Sequence, residues 1–405
     1  MERHGIVELH VRNLRTLEDV SLEFNGLTVL IGDNGSGKST LLEVLELLRR
    51  AAEPRFTENL VRVHGGVGAL ERLRAEGLVW IRVIVAWGGL WSYEIKLSGN
   101  NGHASVAYEE ICALDPKDYL AHSFVERTHD ELWYQDEAAD KRVEARIAED
   151  QLALTAFGVR PPNVGVDAVV QALRAIEVHV PFEVTPTWVA RSTLRQSALR
   201  EEGRLEPADR LDRLGANLAS AWHSLKNDFD TAHWHETLEL VRLGLGDDID
   251  TVNTRAGPGD GRIALWMKYR GMDAQLPASA LSDGTLAFLA FVAMFRLNPN
   301  RSILAIDEPE LHLHPHLLLR VLDFCESATA RHPVVLATHS DRLLDGLSDP
   351  ASSVVLCELD PRRATRLVRP DPAALARWLE RYRGLGDVRA AGHERSVMTL
   401  RKAPR

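Results

Sequence analysis

Apolar and polar residues alternate loosely from Ile6 to Val11 and again where Val20, Leu22 and Phe24 are separated by Ser21 and Glu23, so the chain opens on two strands. Asn25-Gly26 reads as a two-residue hairpin turn into a third strand, Leu27 to Ile31, which is followed by helical spacing from Leu41 to Leu48. Alternation returns from Leu78 to Tyr134, punctuated at Gly88-Gly89 and Asn101-Gly102, and predicts an antiparallel sheet in which Trp80, Trp87, Trp91 and Tyr93 pack in the core or on a sheet face. Ala138 to Asn227 is irregular and then helical, broken at Pro161-Pro162 and Pro181. Its arginines (Arg191, Arg195, Arg200, Arg204, Arg210, Arg213) stand among Glu201, Glu202, Glu206, Asp209 and Asp212, which reads as a solvated, salt-bridged helical face. A strand pair is expected near Asp248 to Thr254 and Arg262 to Tyr269, then an apolar helix from Leu286 to Leu297 and buried strands at Ile303 to Ile306 and Val334 to Ala337. Cys357 to Val368 reads as two short strands and Asp371 to Arg383 as a helix.

Composition narrows the class without naming a chemistry. Of 405 residues, 45% are hydrophobic and 26% charged, as in a globular protein with a sizeable core. The longest apolar run, Leu286 to Phe295, is about half of what a membrane span needs, and Met1 to His4 lead into a strand without signal-peptide architecture. A cytoplasmic protein without membrane insertion is expected. Cys112, Cys325 and Cys357 lack disulfide or metal spacing and read as reduced thiols. A formal charge of −10 excludes a surface that is basic all over but leaves room for a local basic groove.

The chemistry begins at Gly32-Asp33-Asn34-Gly35-Ser36-Gly37-Lys38-Ser39-Thr40, which fits G-x-x-x-x-G-K-[ST] between a strand and a helix. Gly32, Gly35 and Gly37 let backbone N–H groups converge on a polyphosphate, Lys38 would reach the β- and γ-phosphates, and Ser39 would hold Mg2+. Arg15, where the first two strands connect, is a candidate contact to a phosphate or adenine, or else a solvated loop charge. Ser282 is placed to cap the second apolar helix, and Gly284 clears its N-terminus for a phosphate. Asp307, at the end of a core strand, suits Mg2+; Glu308 beside it can polarise water, and His339 at the next strand tip can sense a γ-phosphate. Taken singly, each has a plainer reading as a helix cap, a solvated turn or a loop histidine. His312, His314 and His316 invite a metal reading, but Pro315 suits the first turn of a helix and favours an ordinary turn.

In this order the motifs resemble those of the ABC-type ATPases, and among them the RecF-like and OLD-like predicted ATPases, whose signature reads L-S-D-G-T as Leu281 to Thr285 do here. The resemblance covers roughly residues 1–110 and 240–360, and Trp378 to Tyr382 with Leu385-Gly386-Asp387 look like the short tail of that group. It implies an α/β fold: an ABC-ATPase-like head, a P-loop NTPase with an antiparallel β subdomain and a mixed, largely helical insertion. The expected divisions are an N-terminal lobe at 1–110, an insertion at 111–240, a C-terminal lobe at 241–368 and a tail at 369–405. ATP and Mg2+ are the implied ligands. Asn34, Ser36, Lys38, Ser39 and Thr40 fall to phosphate and metal binding, Asp307 to Mg2+, Glu308 to the catalytic base and His339 to the switch.

Two copies would pair head to tail on ATP, Ser282 and Gly284 of one closing on the γ-phosphate held by Lys38 of the other. Asp283 departs from the glycine usual in transporters, Glu310 to Pro315 replace the usual D-loop, and the Q-loop glutamine is unassigned, with Gln135, Gln151, Gln171 and Gln196 as weak candidates. Too little chain follows His339 for a nuclease domain of the toprim kind, which is not expected here. The expected function is ATP hydrolysis coupled to a partner protein, a nuclease or other effector, or to DNA, in genome maintenance or phage defence. A transporter's nucleotide-binding subunit and a slow ATP-gated clamp are the competing readings.

Overall fold

The computed structural model describes residues 4–72, 77–100, 103–115, 121–136, 140–156, 164–184, 197–259, 261–297 and 300–399. Asn101-Gly102, Pro161-Pro162, Arg191, Arg195 and Gln196 lie outside them. β1 (Gly5–Leu14) and β2 (Leu17–Glu23) form a hairpin in which Asn13 and Arg15 take left-handed backbone, with φ of 58° and 49°. β3 (Leu27–Ile31) does not extend it. The hairpin expected at Asn25-Gly26 is absent, because that turn carries the chain out of one sheet and into another. Burial explains the switch: β2 alternates buried with exposed residues, whereas every residue of β3 is buried and needs cover on both faces.

β1 and β2 join β4 (Val79–Ala86), β5 (Leu90–Asn100), β6 (His103–Leu114), β7 (Ala121–Thr128), β8 (Glu131–Asp136) and β9 (Lys141–Arg146) in an antiparallel sheet of order β2-β1-β4-β5-β6-β7-β8-β9. Trp91 and Tyr93 are buried in its core, while Trp80 lies under the Arg12 guanidinium, 4.5 Å from its ring centre. The boundary expected between 110 and 111 is not one of the structure, since β6 runs through it and the sheet continues to Arg146. Beyond that point the chain returns to the centre of the molecule at β10 (Ile176–His179).

A small sheet follows, of β11 (Gly203–Arg204), β12 (Ile249–Ala256), β13 (Arg262–Tyr269) and β14 (Gln275–Pro277). The remaining strands are β15 (Ile303–Asp307), β16 (Val334–Ala337), β17 (Val354–Leu359), β18 (Thr365–Pro370) and β19 (Met398–Thr399). They complete a central sheet of order β10-β15-β16-β3-β17-β18-β19, whose first five strands are parallel. Successive residues of its strands point to opposite faces and feed two different cores. Val29, Leu304 and Leu336 enter one, with the helix Asp283–Leu297; Leu30, Ala305 and Val335 enter the other, with the helix Lys38–Ala51 and the antiparallel sheet. Among the described residues no helix is long and apolar enough to cross a membrane.

A buried ion pair pins β10 to β15. Arg301 donates to both oxygens of Glu177, at 2.5 and 3.2 Å, and to the Met294 carbonyl on the helix above. Burial alone would raise the Glu177 carboxyl, but Arg301 and His179 more than offset it and hold it at about 2. The pair therefore stabilises the fold above the ordinary carboxylate range, and that stability is lost as pH falls towards 2. Glu177→Gln leaves the guanidinium buried without a counter-charge and is expected to cost about 3 kcal/mol, measured by denaturant unfolding at neutral pH. An unchanged midpoint would refute the pair as a fastening.

Candidate functional site

β15, β16 and β3 lie side by side in parallel, with Asp307 opposite Ala337 and Ala337 opposite Leu30. The three loops that follow these strands therefore leave the same edge of the sheet. After β3 the chain takes left-handed backbone at Gly32, Gly35 and Gly37, with φ of 137°, 77° and 104°. A Cβ at Gly32 would run into the Cys357 carbonyl oxygen and one at Gly37 into Thr365 Oγ1, so β17 and β18 pack on the loop closely enough to require glycine. The helix that follows begins at Lys38 with no side-chain cap and no acidic residue in its first turn, leaving its N–H groups open to an anion. Ser36 Oγ is buried without a hydrogen-bond partner among the described residues, an orphan that a phosphate oxygen would satisfy. Asn34 and Ser39 are exposed and Thr40 is half-buried.

Lys38 Nζ donates to the carbonyls of Gly32 at 2.8 Å and Asp33 at 3.1 Å. Burial pushes its ammonium below the usual lysine range, partly offset by nearby Asp307. Asp307 and Ser39 line one cavity, and burial raises the Asp307 carboxyl above the usual range against the pull of Ser39 and Lys38. A hydroxyl and a carboxylate oxygen side by side suit a hard cation such as Mg2+, which takes one or two protein oxygens and completes its shell with phosphate and water.

Glu308 follows in left-handed backbone, φ 47°, its N–H donating to Ala337 O at 2.7 Å. Glu310 accepts from Thr338 Oγ1 and from the His339 N–H, both at 2.8 Å, and so ties the β15 tip to the β16 tip that presents His339. Ser282 Oγ accepts the Thr285 N–H at 3.1 Å, the expected cap, and a Cβ on Gly284 would stand 3.0 Å from the His312 carbonyl oxygen. Arg15 is ion-paired with Glu43 of the Lys38–Ala51 helix at 2.7 Å.

A cavity of about 210 Å3 opens beside this centre, lined among others by Ser39, Glu43, His64, Val180, Arg213 and Asp307. Among the described residues no glutamine lines it; Gln171 is instead bonded to Asp167 at 2.6 Å. His314 caps the helix Pro315–Ala328 by accepting the His316 N–H, and among the described residues no three His, Cys, Asp or Glu are grouped to hold a metal.

Two residues were not legible as parts of the site. Glu310 had a signal, an acid two positions past Glu308 on a strand tip. Arg200 had none, and among the described residues the solvated helical face expected for its series is not formed: Arg200 is buried in a turn, and Arg204 lies in β11. Its guanidinium reaches the Asp283 carboxylate and the Leu281 carbonyl, 2.8 Å away, inside the signature.

A glycine-rich loop of phosphate-loop form, a strand-end acid and a histidine at the next strand tip, on one edge of a parallel sheet flanked by an antiparallel lobe, define a P-loop ATPase head. Residues 5–85 match the family model of the AAA ATPase domain. Residues 182–345 match one described as an AAA domain, putative AbiEii toxin, Type IV TA system. The OLD nuclease of Thermus scotoductus (strain ATCC 700910 / SA-01) is 25% identical over 414 residues, covering 95% of this chain and 69% of that protein. Among solved structures, an SmcHead bound to the C-winged helix domain of ScpA shares the fold with a TM-score of 0.50 at 14% identity, over 91% of this chain and 99% of that one. The chain is thus similar to AAA ATPase domains and to an OLD nuclease.

Proposed function

We propose that this chain binds ATP with Mg2+ between the phosphate loop and the β15 tip, hydrolyses it, and pairs head to tail with a second copy to do so. The observation that carries the reading is the meeting of Ser39 and Asp307, oxygen donors from distant parts of the sequence, beside Lys38. Gly32 to Thr40 wrap the phosphates, with Arg15 at the margin of the same loop. Lys38 gives up the Gly32 and Asp33 carbonyls for the β- and γ-phosphates. Ser39 and Asp307 hold Mg2+, which when bound neutralises charge developing on those phosphates. Glu308 takes a proton from the attacking water, and His339, fixed through Glu310, donates to the γ-phosphate.

Ser282 and Gly284 of the second subunit close the site. In their own chain they contact Thr285 and His312. The likeness to an OLD nuclease and to a head bound by a ScpA domain supports coupling to a partner protein, a nuclease or other effector, or to DNA. Genome maintenance or phage defence in the cytoplasm fits that kinship. Phosphate release by the purified chain is expected to need Mg2+ and to stop with EDTA, and sedimentation to give a dimer with ATP and a monomer with ADP. Background turnover would sink the hydrolysis, and an oligomer indifferent to nucleotide would sink the pairing.

A further inference from the structure

We infer that Arg200 is a positioning residue for the signature motif, holding Leu281 to Gly284 in the shape that a second subunit's ATP meets, and that Asp283 stands in the motif as its counter-ion. The inference rests on the pairing proposed above. Arg200 is 7% exposed, and its guanidinium donates to Val184 O at 3.3 Å, Ala278 O at 3.3 Å, Ser279 O at 3.2 Å and Leu281 O at 2.8 Å, as well as to the Asp283 carboxylate. The carbonyls of Ala278, Ser279 and Leu281 share the two N–H bonds of Nη1, while Nε and Nη2 of the same planar fork reach Val184 O and the Asp283 carboxylate, a spread that the single ammonium of lysine cannot reproduce. A buried guanidinium surrounded by neutral carbonyls still needs a negative charge, and Asp283 supplies it from the first turn of the signature helix, where an acid is also favoured by the helix N-terminus. This gives a physical reason for an aspartate where transporters usually carry glycine.

The far side of the clamp is anchored as well. Arg200 N–H donates to Ser197 O at 2.8 Å, and the Ser197 hydroxyl donates to Glu183 O, in the segment that leaves β10. Arg200 therefore joins the signature loop to the segment that follows β10, the strand that neighbours β15. Ser282 keeps its place at the helix start because the loop before it, Ala278 to Leu281, is gathered on the guanidinium.

Because Ser282 and Gly284 act on the other subunit's nucleotide, the defect of an Arg200 variant lies in trans. Arg200→Lys is expected to lower turnover about 10- to 100-fold, the cost of misplacing a catalytic group by an ångström or so. Monomer affinity for Mg-ATP stays within about twofold, since the phosphate loop is untouched. Mixing Arg200→Lys with Lys38→Met subunits builds heterodimers with one site intact, and turnover is expected to exceed the sum of the two separate proteins. Hydrogen exchange of amides 279–286 is expected to quicken in Arg200→Lys and in Asp283→Asn, the latter altering the more exposed end of the pair and serving if the lysine variant folds poorly.

Wild-type exchange at those amides in both variants overturns the proposal, as does failure of the mixture to recover turnover while mixed dimers form. Absence of turnover in the unmutated chain would count against the proposed hydrolysis, and the exchange measurement would still decide the role of Arg200.

Discussion

Glu308→Gln is expected to lower ATP turnover by about 100- to 10,000-fold, the range spanned by general-base groups, while ATP stays bound. Three carboxylates stand at or just beyond the end of β15, and their hydrogen bonds separate them. Asp307 lies beside Ser39 and is drawn to the metal position, and both oxygens of Glu310 are taken by Thr338 and the His339 N–H. The Glu308 carboxylate makes no hydrogen bond among the described residues and is free to accept a proton from water. Glutamine keeps the volume of the side chain and the left-handed backbone, removing only the basicity. Single-turnover phosphate release with filter-retained ATP separates chemistry from binding, and the ATP-bound dimer is expected to accumulate. Turnover equal to wild type would remove Glu308 from the mechanism.

Lys38→Met is expected to weaken ATP binding by about 2 to 3 kcal/mol, the contribution of hydrogen bonds to a charged partner, or roughly 30- to 150-fold in Kd. The ammonium is half of a prepared exchange: it rests on the Gly32 and Asp33 carbonyls, and nearby Asp307 offsets part of the burial that lowers it. Methionine fills the same space without the charge, so the melting temperature of the nucleotide-free protein should hold or rise, because a buried cation has been replaced by an apolar chain. Calorimetric titration with ATP and a thermal melt test the two halves separately. An ATP affinity within about twofold of wild type, against that expectation, would mean that the backbone N–H groups alone hold the phosphates.

The architecture was readable wherever chemistry is local. Gly32 to Thr40 declare a phosphate loop because a tight anion cradle needs glycines at fixed offsets and a helix directly after them. The apolar runs at Leu27 to Ile31, Ile303 to Ile306 and Val334 to Ala337 declare buried strands, and Ser282 declares a cap. The sheet partner of a strand is not local. Asn25-Gly26 has the composition of a hairpin, yet β2 and β3 part at that turn because the half-buried strand and the fully buried one need different surroundings.

The order of motifs along the chain, the charge types at each tip and the periodicity of each element were determined by the sequence, since all depend on residues within a few positions of one another. Only the tertiary structure decided which distant side chains meet. Ser39 finds Asp307 because β3, β16 and β15 are adjacent and parallel. Arg200, which looked like one more solvated arginine, is drawn into the signature because the carbonyls of Ala278 to Leu281 and the Asp283 carboxylate converge there. A buried charge is stable only where such partners gather, and no spacing along the chain records that they do.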